Sequence, residues 1–335
     1  MTAAGPRTSA PAIADPVDRS AAEEASVFGH QPVPPDATAA YGDHPDQVID
    51  FYRPRIAGDR PAPLVALLHG GAWRAAYDRA HVSPLAAHLA AHGFAVASLG
   101  YRRGGSPQTA QGPSQSPEAT LPPPADPTTD VINDPGESPG AGGPHPPAGR
   151  WPDTFDDVAA ALDGLPELAV QALDADTVDP CRTVITGHSA GGHLALWAAA
   201  RHVLPPDSPW HRSSPPPFRG VVALAPIADF ASSIRLGVCS GAVLELLGGT
   251  SHVTVRIPHA DPAVLLPTGI ATTIVHGTTD NVVPPQVSDE FAKAATAAGE
   301  PPTVAWLAAT GHFPLIDPAN PAVVTVINEI GQLIW

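Results

Sequence analysis

The chain has 335 residues, with 33 acidic against 17 basic side chains and a formal net charge of −16. Its densest basic spot is Arg102-Arg103, which excludes nucleic-acid binding by counterion release and argues against an anionic membrane surface. Hydrophobic residues at 43% allow a large core, and 43 prolines interrupt it, so the composition describes a folded domain broken by Pro-rich segments rather than a uniformly disordered chain.

Residues 1–35 are rich in Ala, Pro, Ser and Asp without periodicity and are expected to form a flexible, disordered tail, with the folded domain spanning 36–335. Residues 37–55 read as a β-hairpin around Gly42-Asp43-His44-Pro45-Asp46. From there strands and helices alternate. Residues 64–68 are a continuous apolar run of the kind buried on both faces. Residues 81–92 carry Val82, Leu85 and Leu89 at helical spacing, and 94–99 form the next strand. Residues 104–150 break the pattern with 12 Pro and 8 Gly and are expected to be a disordered insertion. The rhythm resumes with a helix at 153–165, a strand at 183–186, a helix at 190–202 and a strand at 221–224. Residues 226–268 read as a small lid. A strand at 270–276, a helix at 287–298, a strand at 303–307 and a helix at 322–334 complete the chain. This alternation predicts an α/β fold with a mostly parallel sheet covered on both faces.

The two cysteines, Cys181 and Cys239, read as free thiols and belong to no Cys/His metal spacing. No secretory leader and no apolar run of about 18 residues is apparent. The cytoplasm is therefore the expected location, with neither metal nor cofactor.

The decisive motif is Gly187-His188-Ser189-Ala190-Gly191. It follows a short apolar strand and opens an amphipathic helix, the context of a nucleophile elbow. Gly187 and Gly191 leave room for a tight crossing, and Ser189 is exposed at the strand's carboxyl end beside a helix N-terminus that favours a developing oxyanion. Upstream, His69-Gly70-Gly71-Ala72-Trp73 follows the 64–68 strand, where glycines let backbone N–H groups approach a substrate oxygen. A serine nucleophile also needs a base and an orienting acid, in chain order Ser, acid, His. Asp280 lies in a loop just past the 270–276 strand, and His312 in the loop after 303–307. Asp229 and Asp317 are alternative acids. His276 reads as packing or a supporting hydrogen bond, His69 as orienting its own loop, and His188 as flanking the nucleophile.

Through these residues the sequence resembles the α/β-hydrolase superfamily over residues 37–103 and 151–335. Both His69–Trp73, as H-G-G-x-W, and G-H-S-A-G-G-H-L-A-L-W at 187–197 resemble the kynurenine formamidase and small carboxylesterase branch. The resemblance implies Ser189 as acyl-accepting nucleophile, His312 as base and Asp280 as acid. It also implies an oxyanion hole from the backbone N–H groups of Gly71, Ala72 and Ala190, with Gly70 shaping the loop. The expected function is a serine hydrolase of carboxylic esters or small amides. Arylformamidase or peptidase-like chemistry is an alternative, and a catalytically silent binding module is a competing class. Trp73 and the lid suggest a compact, partly aromatic pocket for a small-molecule substrate.

Overall fold

The computed structural model describes residues 16–56, 58–105 and 148–334. The strands are β1 (Ala37–Ala40), β2 (Val48–Tyr52), β3 (Ala62–Leu68), β4 (Ala95–Leu99), β5 (Val178–His188), β6 (Phe218–Leu224), β7 (Thr272–Gly277) and β8 (Thr303–Leu307). They form one sheet in the order β1-β2-β4-β3-β5-β6-β7-β8. The hairpin β1–β2 and its junction with β4 are antiparallel, and every pairing from β4 to β8 is parallel. The longer helices are α1 (Pro16–Gly29), α2 (Ser83–Ala91), α3 (Asp153–Leu173), α4 (Ala190–Ala199), α5 (Phe230–Arg235), α6 (Ala242–Leu246), α7 (Val253–Ala260), α8 (Pro285–Ala297) and α9 (Ala322–Ile334). Among the described residues no single helix is long and apolar enough to cross a membrane.

The central strand β3 shows why its sequence is apolar throughout. Leu64, Ala66 and Leu68 enter one core with residues of α3, α4 and α8, while Val65 and Leu67 enter a second core with residues of α2 and α9. Successive side chains on a strand point to opposite faces, so a sheet covered by helices on both sides needs an unbroken apolar run.

α3 runs past the expected end at 165, with Pro166 inside it. A proline there loses one backbone bond and crowds the preceding turn, a cost of about 3 kcal/mol. The buried row Phe155, Val158, Leu162, Leu165, Ala169 and Leu173 continues at helical spacing across it, and that packing carries the helix through. The expected lid at 226–268 contains α5, α6 and α7 joined by short 3-10 turns.

Part of the expected tail is corrected. Residues 16–29 form α1, and Val27 is buried in the second core. Its anchoring is largely polar, which hides it from a search for apolar periodicity. Ser26 Oγ donates to Asp317 Oδ2 at 2.6 Å, and His30 Nε2 pairs with Asp317 Oδ1 at 2.8 Å. Residues 1–15, and 106–147 of the expected insertion, lie outside the described residues.

Candidate active site

β5 ends at His188 and α4 begins at Ala190, so the chain reverses on Ser189 alone. Ser189 has φ 56° and ψ −116°, a conformation that non-glycine residues rarely adopt and that costs on the order of 1–3 kcal/mol. The glycines on either side are obligatory. A Cβ on Gly187 would lie 2.3 Å from the Gly191 carbonyl oxygen, and one on Gly191 would lie 2.2 Å from that of Leu68. Ser189 thus stands at the N-terminus of α4, beside the buried Ala190, in the wall of a cavity of about 260 Å³.

The sheet register brings the Gly-rich loop to this point. β3 pairs with β5 so that Leu68 faces Gly187, and the next residues of both strands emerge side by side. Gly70 lies against the elbow: a Cβ there would meet the His188 carbonyl at 2.9 Å and Ser189 Cβ at 3.4 Å. Gly71 (φ 98°) and Ala72 (φ 49°) follow in the left-handed region and line the cavity. His69 fixes its own loop, with Nδ1 donating to the Gly70 carbonyl at 2.8 Å while Tyr101 Oη donates to the His69 carbonyl at 2.7 Å. Their rings stack at 4.2 Å. Burial, then the charge of Arg103, holds His69 well below the ordinary histidine value, so it serves as a neutral prop. Trp73 is placed differently from the expectation. It is fully buried in the core, edge-on to His193 at 5.1 Å, and the cavity's aromatic lining comes instead from Phe28, Tyr77, His81 and Phe313.

β7 and β8 pair through His276↔Trp306 and Gly277↔Leu307, so the loops that follow them also emerge together. Thr279 N–H donates to the Thr310 carbonyl at 3.0 Å, tying one loop to the other. Across this junction His312 Nδ1 meets Asp280 Oδ2 at 2.6 Å. The other carboxylate oxygen of Asp280 accepts from the Val282 and Val283 amides, each at 2.9 Å, and His276 Nε2 lies 3.2 Å from Oδ2. Burial alone would raise the Asp280 carboxyl, but His312 and the hydrogen bond from His276 outweigh it and hold the group well below the usual carboxylate range. An ionised Asp280 accepts only, so the His312 proton sits on Nδ1 and Nε2 is left as the basic nitrogen. His312 and Ser189 line the same cavity. The alternative acids are engaged elsewhere. Asp229 caps α5 through the Ser232 amide, and Asp317 binds Ser26, His30 and the Ala319 amide.

The comparisons with known proteins agree with this fold. The BD-FAE family model matches residues 147–295. The chain is 25% identical over 268 residues to a probable isoprenylcysteine alpha-carbonyl methylesterase of Oryza sativa subsp. japonica. That match covers 77% of this chain and 53% of the relative, so the chain spans about half the relative's length. Among solved structures, a truncated carbohydrate esterase from gut microbiota matches with TM-score 0.65 and 19% identity, covering 91% of this chain and 99% of that one. A phosphonate-inhibited esterase B from Lactobacillus rhamnosis matches with TM-score 0.66 and 18% identity, covering 95% and 92%. The chain has the α/β-hydrolase fold.

Several residues around this site are not marked by any local sequence signal. His188, expected to flank the nucleophile, donates from Nε2 to the His312 carbonyl at 3.0 Å and packs its ring 4.3 Å from the His312 ring. Burial, then the neighbouring His312, holds His188 far below the ordinary histidine value, so it acts as a neutral donor. Glu24 and Phe28 of α1 form part of the cavity wall, and Cys239 and Ser240 reach it from the lid. Both cysteines are free, and burial pushes the Cys239 thiol up to about 11, so it stays protonated and poorly nucleophilic. Helical spacing within 16–29 is the one signal that would have exposed α1. Nothing local marks Tyr77 or Cys239, which arrive through the folding of distant loops. Among the described residues no three His, Cys, Asp or Glu side chains converge in a way that could hold a metal ion.

Proposed function

We propose that this chain is a serine esterase acting on small carboxylic esters, with Ser189 as nucleophile, His312 as general base and Asp280 as the acid that orients it. The 2.6 Å Asp280–His312 contact carries the reading, because His312 lines one cavity with a serine held in the elbow conformation. The esterases among the structural neighbours and the methylesterase relative support it.

Ser189 Oγ attacks the ester carbonyl carbon as His312 Nε2 takes its proton. The oxyanion that forms is met by backbone N–H groups of Ala190, Gly71 and Ala72, on a loop whose close approach depends on Gly70. Collapse breaks the ester bond, and the leaving alcohol takes the proton from His312. Water then enters, gives a proton to His312 and attacks the acyl-enzyme. The second tetrahedral species releases the acid and returns the proton to Ser189. A cavity of about 260 Å³ lies just under the usual range for drug-sized ligands and suits a short acyl group.

A panel of p-nitrophenyl acetate, longer p-nitrophenyl esters and N-formylkynurenine tests this reading and separates ester from formamide preference. Turnover of the short esters is expected, lost in Ser189→Ala, with a fluorophosphonate adduct on Ser189. A folded protein that neither hydrolyses any member of the panel nor takes the label would overturn the proposal.

A further inference from the structure

One polar face of α1 grips both loops of the proposed catalytic pair. Arg19, Glu23 and Ser26 follow one another at helical spacing, and His30 lies just past the end of α1. Arg19 Nη1 donates to Thr279 Oγ1 at 3.3 Å, and Thr279 immediately precedes Asp280. Glu23 Oε1 accepts from the Gly311 N–H at 3.2 Å, and Gly311 immediately precedes His312. Ser26 and His30 hold Asp317 beyond His312, as described above.

The Glu23 contact is close and depends on the glycine. A Cβ on Gly311 would lie 1.9 Å from Glu23 Oε2, so the carboxylate rests against the bare face of that residue. Oε2 is itself buried without a hydrogen-bond partner among the described residues. A buried, half-satisfied carboxylate costs free energy, and an apolar side chain would cover the same surface without that cost. Stability is therefore a poor reason for a glutamate here. Burial pushes its carboxyl up against the opposing pull of the Gly311 amide and Arg19, and the charges of Asp280 and His312 also reach it.

We propose that Glu23 is a positioning residue: by holding the Gly311 amide it sets where the His312 imidazole stands relative to Ser189. This rests on the reading of Ser189, His312 and Asp280 as a triad. A serine hydrolase needs its base within hydrogen-bond reach of the nucleophile, and small misplacements of a catalytic group are costly in rate. The β7–β8 junction fixes one side of the His312 loop, and α1 fixes the other.

The test uses the full chain and a short p-nitrophenyl ester, with kcat, KM and the thermal unfolding midpoint measured for each variant. Glu23→Ala is expected to lower kcat on the order of 10- to 100-fold with KM within about twofold of wild type. Glu23→Gln keeps an oxygen acceptor at the same reach and is expected to recover kcat to within about threefold. Glu23→Asp, one methylene shorter, is expected to stay impaired while keeping the charge. Wild-type kcat in Glu23→Ala, a loss expressed in KM alone, or equal impairment of the Gln and Asp variants would each overturn the proposal. If Glu23→Ala does not fold, the Gln and Asp pair decides alone: Gln active and Asp impaired supports it, and equal activity sinks it. The two readings fail separately. Full turnover by Ser189→Ala refutes the triad, whereas an inactive Ser189→Ala beside a fully active Glu23→Ala refutes only the role of Glu23.

Discussion

Gly187 and Gly191 approach so closely that a single methyl on Gly187 would lie 2.3 Å from the carbonyl oxygen of Gly191. The obstacle is backbone on the neighbouring helix turn, so the crossing has no flexible side chain to yield. Gly187→Ala, and equally Gly191→Ala against the Leu68 carbonyl, are expected to destabilise the fold by about 3 kcal/mol or more. Urea unfolding of the soluble fraction checks this. A midpoint unchanged from wild type would show that β5 and α4 can separate at the elbow.

Asp280 and Asp317 both sit beside functional loops, but only Asp280 reaches His312. Asp280→Asn is expected to lower kcat by roughly 10³- to 10⁴-fold, because an amide can donate as well as accept and no longer fixes the imidazole tautomer. Asp317→Asn is expected to keep kcat within about tenfold while lowering the unfolding midpoint, since it weakens the anchorage of α1. Equal losses of kcat in the two variants would contradict this division of roles.

Phe28 packs 5.5 Å from Tyr77 and 6.1 Å from Phe313, closing the cavity from the α1 side. Phe28→Ala removes this wall without touching Ser189 or His312. The ratio of kcat/KM for long over short p-nitrophenyl esters is expected to rise about tenfold, the scale set by apolar pocket contacts. An unchanged chain-length profile would remove α1 from the substrate pocket.

Asp261 gives a pH dependence with a definite sign. It is buried beneath α5, where it accepts from the Ala263 amide at 3.0 Å and the Phe230 amide at 3.3 Å. Burial first, and then the charge of Asp229, push its carboxyl from 3.8 up to about 7. The folded chain therefore keeps a proton that the unfolded chain has already released. The associated stability is full below the unfolded value and is lost as pH rises through the folded one. Asp261→Asn should come nearest wild type in thermal midpoint below about pH 4, and exceed it increasingly as pH rises to about 8, because the amide never has to be buried as an anion. A midpoint difference that is constant across this range would show that Asp261 does not titrate there.

The features legible in the sequence are those whose cause is local. The apolar run at 64–68 had to be a strand buried on both faces, and the glycines around Ser189 had to mark a tight crossing. The chain order of Ser189, Asp280 and His312 followed strand ends that a parallel sheet places at one edge. The features that escaped depend on partners far away in the chain. Val27 is the buried apolar anchor among the described side chains of α1, which is also held by ring contacts of Phe28 and by Asp317, Gly311 and Thr279, nearly three hundred residues away. α3 passes Pro166 because core packing on its far side outweighs a local penalty. Trp73 looked like a pocket residue because it follows the Gly-rich loop, but a positive φ turns it inward instead.

The carbonyl of Trp73 accepts from Gly104 N–H at 3.0 Å and from Gly149 N–H at 2.8 Å. The chain therefore departs and returns through a single oxygen atom, next to the loop that carries Gly71 and Ala72. Because one acceptor holds both ends, the separation of Gly104 and Gly149 is set by Trp73 and not by the length of chain that joins them. The same node is a natural graft point: a foreign peptide spliced between the two glycines would be held at both ends by the residue that follows Ala72.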